Sequence, residues 1–517
     1  MPEKVLKKLY ARILPEWKTC FFAAITVGLL AHLYKITNWL PNWDSLVFRY
    51  DSQNMVGIGR WFLPVVCSFS SFYDLPFLNG LIAIVFHALG AVCICNMAGV
   101  KKNITAALIG GVIASFPTVT SVMMYNYVAD GYSIAFFLSV MAAYYMTREK
   151  PNYLMAAMLI TLSSGIYQAY ITVTIMLVLF KLIDGIVYQG KELATVCKNT
   201  LHMLICGVLG VVLYFATLKA VQAAFSIELL EYQGVNQVAS LSGIDIAASL
   251  YLVKETFVKC FFDVSNGVNV YVALNVFVLV FTLVCYAGYI VKSRLYKKPL
   301  KLLAVLIFSI MLFAGAAALA FVNASVDYHN LMLMGYSVFY LFFLMLYERE
   351  DGACEKAVCI KRWTILLVAT AMIANFIVIA NISYHKAQIS YEKSYGTLVR
   401  IAESIEETEG AENAEKILVL GALKDSEKYS VNLSPDITGI TDGYIIRADD
   451  EIVGQSVLCS ALADYCGKNY EFLSGEEKKN LAEREEVKSM GIWPDKDCVL
   501  VIDDTLIIKL GNEGEIK

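Results

Sequence analysis

The sequence predicts a polytopic α-helical membrane protein with a small C-terminal domain of α/β or α+β type. Three observations carry this. Of 517 residues 58% are hydrophobic and 17% charged, with a mean hydropathy of +0.59; a soluble domain carries about 25% charged residues. The apolar residues gather into runs of about 20, enough to cross a hydrocarbon core about 30 Å thick, and in lipid such runs are helical because the backbone has no water to bond. From about Tyr384 the composition inverts. There 15 Lys and Arg stand against 27 Asp and Glu, so the tail carries −12 and the rest +8 of the net −4.

A basic start (Lys4, Lys7, Lys8, Arg12) leads into an apolar run without a small-residue cleavage site, which reads as an uncleaved first span. Apolar runs place about 11 spans near residues 18–38, 75–98, 104–123, 131–147, 152–166, 168–187, 201–224, 269–291, 301–322, 329–347 and 363–382. The stretch 152–187 is long for one span and short for two, so Gly165-Ile166-Tyr167-Gln168 is expected to mark a tight helical hairpin. With the hairpin counted as two crossings, Lys101, Lys102, Arg148, Lys150, Lys181, Lys191, Lys198, Lys292, Arg294, Lys297, Lys298, Arg349, Lys356, Lys361 and Arg362 fall on the side of the basic N-terminus. The positive-inside rule then gives a cytoplasmic N-terminus and an extracytoplasmic C-terminus.

Residues 1–383 form the expected membrane domain and 384–517 the acidic one. The latter holds a helical stretch over 400–416, apolar strand-like runs at Ile417–Leu420 and Cys498–Ile502, and a turn at Asp503-Asp504 leading to Leu506–Leu510. Its roughly 130 residues suffice for a core of their own. Many of the 13 cysteines lie in predicted spans, where cysteine acts as a small hydrophobe. No Cys-x-x-Cys pair or Cys/His ligand spacing appears, so neither a zinc site nor a disulfide framework is expected, although Cys459 and Cys466 could pair outside the cell. Neither a metal nor another cofactor is expected, and no nucleic-acid partner.

Three loops fall on the outer side. The first, about 39–74, contains Asp44, Arg49, Asp51, Arg60 and Asp74; the second reads Tyr125–Gly131; a longer one, about 225–268, contains Glu228, Glu231 and Asp263. Asp44 and Asp51, seven residues apart, would share one helical face about two turns apart. A carboxylate at a membrane surface can take the proton of an acceptor hydroxyl, and an arginine fork suits a lipid-linked phosphate. The plainer reading makes the carboxylates solvated and Trp39, Trp43 and Trp61 interfacial anchors.

The order of short motifs then becomes informative. Asp44 and Asp51 follow the first span, then Gly59-Arg60-Trp61, then Leu75-Pro76-Phe77-Leu78-Asn79-Gly80 opening the second. Phe116-Pro117 ends the third, Tyr127–Asp130 precedes the fourth, and Gly165-Ile166-Tyr167-Gln168-Ala169 lies in the hairpin. Over residues 15–385 this resembles the GtrII family of bacterial glucosyltransferases, within the GT-C group of membrane transferases. The resemblance implies transfer of glucose, or a similar hexose, from an undecaprenyl-phosphate-linked donor to a cell-surface glycan acceptor at the outer face of the plasma membrane. Because such a donor is made inside and flipped, a flippase and a donor-synthesising transferase are implied partners. It also implies a catalytic acid in the first outer loop, at Asp44 or Asp51, whose separation departs from the adjacent acids common in GT-C proteins and leaves the choice between them open.

Arg60 is the candidate for the donor phosphate, against a side chain that merely snorkels to the headgroups. Asp130 either binds sugar hydroxyls or caps the fourth span. Tyr167 and Gln168 at membrane depth need partners, which sugar hydroxyls or an interhelical bond would supply. Asp327-Tyr328-His329 opens the tenth span, with Asp327 a candidate for the acceptor and His329 for phosphate or acceptor, or a structural histidine. A transporter or flippase for a lipid-linked sugar is the rival, kept alive by the hairpin, since transporters bind at broken helices near the midplane. A scaffold presenting the acidic domain would leave the first loop unexplained.

Overall fold

The computed structural model describes residues 2–517 apart from 48–52, 72, 231–244, 263–268, 325, 327, 351–355, 424–450 and 513–517. Among the described residues, ten helices are long and apolar enough to cross a membrane: Pro15–Thr37, Pro76–Ala98, Asn103–Met124, Asn126–Thr147, Gln168–Val187, Leu193–Phe225, Val270–Lys292, Pro299–Ala316, Asn330–Arg349 and Lys356–Glu406. Each matches one of the expected runs. The eleventh run, Tyr153–Ile166, has 14 residues. At 1.5 Å per residue it rises about 21 Å, less than any of the ten.

Two of these helices are broken, each for a reason in the sequence. Pro117 has no N–H and pushes the residue before it out of the helical region, and Phe116 accordingly sits at φ −54°, ψ 137°. The helix Asn103–Ser115 therefore ends with carbonyls that lack an intrahelical partner. One of them, Ala114 O, bonds His32 Nε2 of the first span at 3.0 Å. The second break follows Ile166, where Tyr167 is extended before a 3₁₀ turn at Gln168–Tyr170 and the helix Ile171–Val187. Here the expected hairpin differs in its packing. Tyr153–Ile166 lies chiefly against Asn126–Thr147 and Leu193–Phe225 rather than its successor.

The cations used to orient the chain also close helix ends. Lys102 Nζ donates to the carbonyls of Tyr347, Glu348 and Glu350 at 3.2, 2.6 and 2.8 Å, where a helix C-terminus favours positive charge. Arg349 pairs with Asp184, and Lys301 with Glu192 at 3.1 Å. The stretch 225–268, read as a loop, contains the helix Ile246–Phe262. Its Ser249, Val253, Thr256 and Cys260 are buried at helical spacing, while Lys254 and Glu255 are exposed. Glu231 and Asp263 lie outside the described residues.

Contacts divide the chain into two units. The first comprises residues 1–37 and 53–381; the second takes the described residues from 382 onward together with 38–47. The second unit has a four-stranded sheet of order β2-β1-β4-β3, with β1 Lys416–Leu420, β2 Glu471–Phe472, β3 Val499–Ile502 and β4 Thr505–Lys509. β1 runs parallel to β2 and β4, and the Asp503-Asp504 turn closes the antiparallel β3–β4 hairpin. Strand alternation sorts the core. Ile417, Val419, Leu506 and Ile508 face one cluster, and Leu418, Leu420 and Ile507 the other. Cys459 and Cys466 are both free, seven residues apart on the helix Glu451–Cys466.

The sequence drew the domain boundary at residue 383, but the chain after the first span also contributes to the second unit. Asn42 caps the helix Trp43–Val47, its Oδ1 accepting from the amide and hydroxyl of Ser45, both at 2.9 Å. Leu46 packs with Leu398, Ile401 and Leu458 in the core, and Trp39 Nε1 donates to the Tyr465 hydroxyl at 2.7 Å. Leu46→Ala should therefore destabilise this unit by about 2–4 kcal/mol, as a buried leucine truncation does. Hydrogen exchange at β1 and β4 should accelerate accordingly, with the spans that lie wholly in the first unit unaffected.

Candidate active site

The loop after the first span is organised by a glycine. The short helix Gln53–Gly57 ends in a Schellman motif: Arg60 N–H bonds Met55 O and Gly59 N–H bonds Val56 O, both at 2.9 Å, with Gly59 at φ 86°. A side chain is strained at that φ, which explains the glycine ahead of Arg60. The chain then docks on the broken helix. Phe62 N–H donates to Gly165 O at 2.8 Å, and the Trp61 indole occupies the space a Cβ at Gly165 would need, 2.6 Å from Trp61 Cε2.

This docking buries Arg60, which is 8% exposed, so it does not snorkel. Its Nη1 donates to the Tyr132 hydroxyl at 2.6 Å and lies 3.7 Å from Met55 Sδ. The Tyr132 and Tyr167 rings stack at 4.5 Å and 11°, and the guanidinium carbon lies 4.6 Å from the Tyr167 centroid. An arginine over tyrosine faces gains cation–π attraction and loses rotamer freedom. The same break places Gln168, whose Nε2 donates to Ile58 O at 3.1 Å and the Tyr214 hydroxyl at 3.0 Å; that hydroxyl donates to Gly59 O at 3.0 Å. Gln168 thus holds the loop to the Leu193–Phe225 helix.

Arg60 and the Tyr167-Gln168 pair, more than 100 residues apart in sequence, come together. Asp130 has other partners. Its Oδ2 accepts from Ser70 Oγ at 2.6 Å, its Oδ1 from Gly131 N at 2.8 Å, and Cys67 Sγ lies 3.7 Å away. Burial, and then the Asp130 carboxylate, push the Cys67 thiol well up, so it stays a donor. The expected helix cap is not found at Asp130: the helix starts at Asn126 after an N-cap at Tyr125, and Asp130 is buried inside it. His329 is half-buried; its Nδ1 accepts from Leu331 N at 3.3 Å and its ring meets Tyr125 edge-on at 5.8 Å.

Asp44 is half-buried in the capped helix Trp43–Val47 of the second unit. Asp51 and Asp327 lie outside the described residues. Sequence reasoning missed Tyr132 and Tyr214. The signal available was that tyrosine hydroxyls and an arginine near apolar spans need partners. Among the described residues no three His, Cys, Asp or Glu side chains are grouped to hold a metal ion. The site thus holds one guanidinium against two stacked tyrosine rings and their hydroxyls, residue types suited to a phosphate and a sugar. The family model described as Glucosyl transferase GtrII matches residues 33–346. No curated protein and no solved structure matches the chain.

Proposed function

Because the chain belongs to the GtrII glucosyl transferase family, matched over more than half its length, we propose that it moves glucose from an undecaprenyl-phosphate-linked donor to a cell-surface glycan. Membership makes it a membrane glucosyltransferase of GT-C fold, with a sugar donor and an acceptor. The finer reading places the reaction at the outer face of the plasma membrane. Residues 1–383 then act as the transferase domain and 384–517 as an extracytoplasmic domain, with a flippase and a donor-synthesising transferase supplying the donor.

The observation supporting this most is the Arg60 guanidinium held against Tyr132 and Tyr167 at a break in the helix bundle. In the proposed step the acceptor hydroxyl oxygen attacks the anomeric carbon while Asp44 or Asp51 takes its proton. The bond from that carbon to the phosphate oxygen breaks, and undecaprenyl phosphate leaves with the electron pair. Arg60 offsets charge developing on the leaving phosphate, and being fixed beforehand it needs no reorganisation. Tyr167 presents a ring to the sugar.

Reconstitution into vesicles with undecaprenyl-phosphate-glucose and a crude surface-glycan acceptor tests the reading. The wild type should release undecaprenyl phosphate and label the glycan. Arg60→Ala should lower kcat/KM by about 10- to 100-fold, the range for a charge-assisted hydrogen bond to the transition state. Donor crossing the bilayer uncleaved would instead identify a flippase, the reading that the interruption at Tyr167 favours.

A further inference from the structure

Beside the Arg60 site, the first unit contains a second polar group of different character. Asp74 ends the loop after the first span and is 6% exposed; Asn79 and Asn126, on the helices Pro76–Ala98 and Asn126–Thr147, are fully buried. Asn126 Nδ2 donates to Asp74 Oδ1 at 2.6 Å. Asn79 Nδ2 donates to Tyr73 O at 3.1 Å and Asn126 O at 3.0 Å. Because each amide nitrogen faces oxygen, neither amide can be flipped without losing those bonds.

The remaining oxygens, Asp74 Oδ2, Asn79 Oδ1 and Asn126 Oδ1, are all buried and none has a hydrogen-bond partner. Folded proteins satisfy nearly all such atoms, so three unmatched acceptors within one hydrogen-bonded triad call for an explanation. All three accept and none donates, so the complementary ligand is rich in donors. An anion would be repelled by Asp74. A metal cation would face Lys35, buried nearby on the first span and close enough to feel the Asp74 charge. A neutral polyol meets neither objection.

We propose that Asp74, Asn79 and Asn126 form a niche that receives hydroxyl groups of a hexosyl residue, deepening and resting on the transferase reading above. The niche would recognise the sugar while Arg60 takes the phosphate. Asp74 sits between Tyr73 and Leu75, both exposed, so the triad begins one residue below the loop surface. Asn79 lies in the motif Leu75–Gly80, and Asn126 in the second outer loop, Tyr125–Gly131. Asp74 was noted only as a loop carboxylate.

The test reads binding, without turnover, in the full-length detergent-solubilised protein. Undecaprenyl-phosphate-glucose and its monodeoxyglucose analogues are compared by thermal stabilisation, with methyl glucoside as a separate arm for an acceptor sugar. For the wild type, removing one hydroxyl should weaken binding about 10- to 100-fold, as when a buried acceptor loses its donor. Asp74→Asn, which can still accept from Asn126, should bring the full and deoxy sugars within about threefold of each other. Discrimination seen only with the glucoside would support the niche and assign it to the acceptor.

Equal affinity of the wild type for every analogue would overturn the niche. So would an Asp74→Asn variant that weakens all analogues alike, or stabilisation by Mg²⁺ alone that this variant abolishes. Hydroxyl-selective binding together with uncleaved passage of the donor in vesicles would refute the transferase reading and keep the niche.

Discussion

Of the variants Asp44→Asn and Asp51→Asn, one should lower glucosyl transfer by about 10²–10⁴-fold and the other by less than about tenfold. The larger figure is the usual contribution of a positioned general base, and only one carboxylate can take the proton. Asparagine keeps the size and removes the charge, so the comparison isolates the chemistry. At position 44 the fold should tolerate it. The helix Trp43–Val47 is capped by Asn42 and anchored by Leu46, neither of which depends on the Asp44 charge. The helix-dipole share of losing an acidic residue from its first turn is about 0.3–1 kcal/mol. The pH–rate profile supplies a second readout. Protonating the base suppresses turnover, so the acid limb of the profile should vanish in the variant that has lost it. Full turnover in both variants would refute the assignment of the base to this loop.

Arg349→Ala should destabilise the membrane unit by about 3–5 kcal/mol, the largest stability effect expected of a single substitution here. Its guanidinium pairs with Asp184, stacks 3.7 Å from the Tyr188 centroid, and donates to the Tyr286 hydroxyl at 2.8 Å. Both side chains are largely buried, at 14% and 5% exposure. Without Arg349, Asp184 retains Gln189 Nε2 at 2.9 Å but loses its ion-pair partner, and a buried carboxylate stripped of its counter-charge is costly. The double variant Arg349→Ala/Asp184→Ala should recover much of the loss, because neither charge is then stranded. Thermal midpoints in detergent would show both effects. A single variant as stable as the wild type would mean the pair contributes nothing net.

Arg349 also shows what could and could not be read from sequence. Counting it among loop cations used its sign, while its ring and carboxylate partners depend on contacts far apart in the chain. The spans were legible because crossing lipid demands a long apolar run, a local property. Gly165–Gln168 marked one interruption, as a hairpin, whereas Phe116-Pro117 was read as the end of the third span although the proline is the local cause of a break within it. The helix Ile246–Phe262 was missed because Lys254, Glu255 and Lys259 lower its mean hydropathy, although its burial keeps helical period. In the site, Arg60, Tyr167 and Gln168 were each singled out, but their meeting through Tyr132, Tyr214 and the Gly59 turn is tertiary. Of the two readings of Asp130, sugar contact or cap, the cap fails because the expected span begins at residue 131 while the helix starts at Asn126. The strands of the acidic domain were visible as short apolar runs, but a segment beginning 38 residues into the chain gave no local sign that it would join their core.

That segment imposes an order on synthesis. Leu46 leaves the ribosome about 460 residues before Leu506 and Ile508, which complete its hydrophobic cluster. At about 5–20 residues per second the interval is roughly 20–90 s. Throughout it, the later spans are being inserted while a hydrophobic side chain waits for a sheet that does not yet exist. The second unit is therefore assembled last, from two segments far apart in the chain. A chain stalled before β4 would carry an early segment with no place to dock, a state that a quality-control protease could recognise.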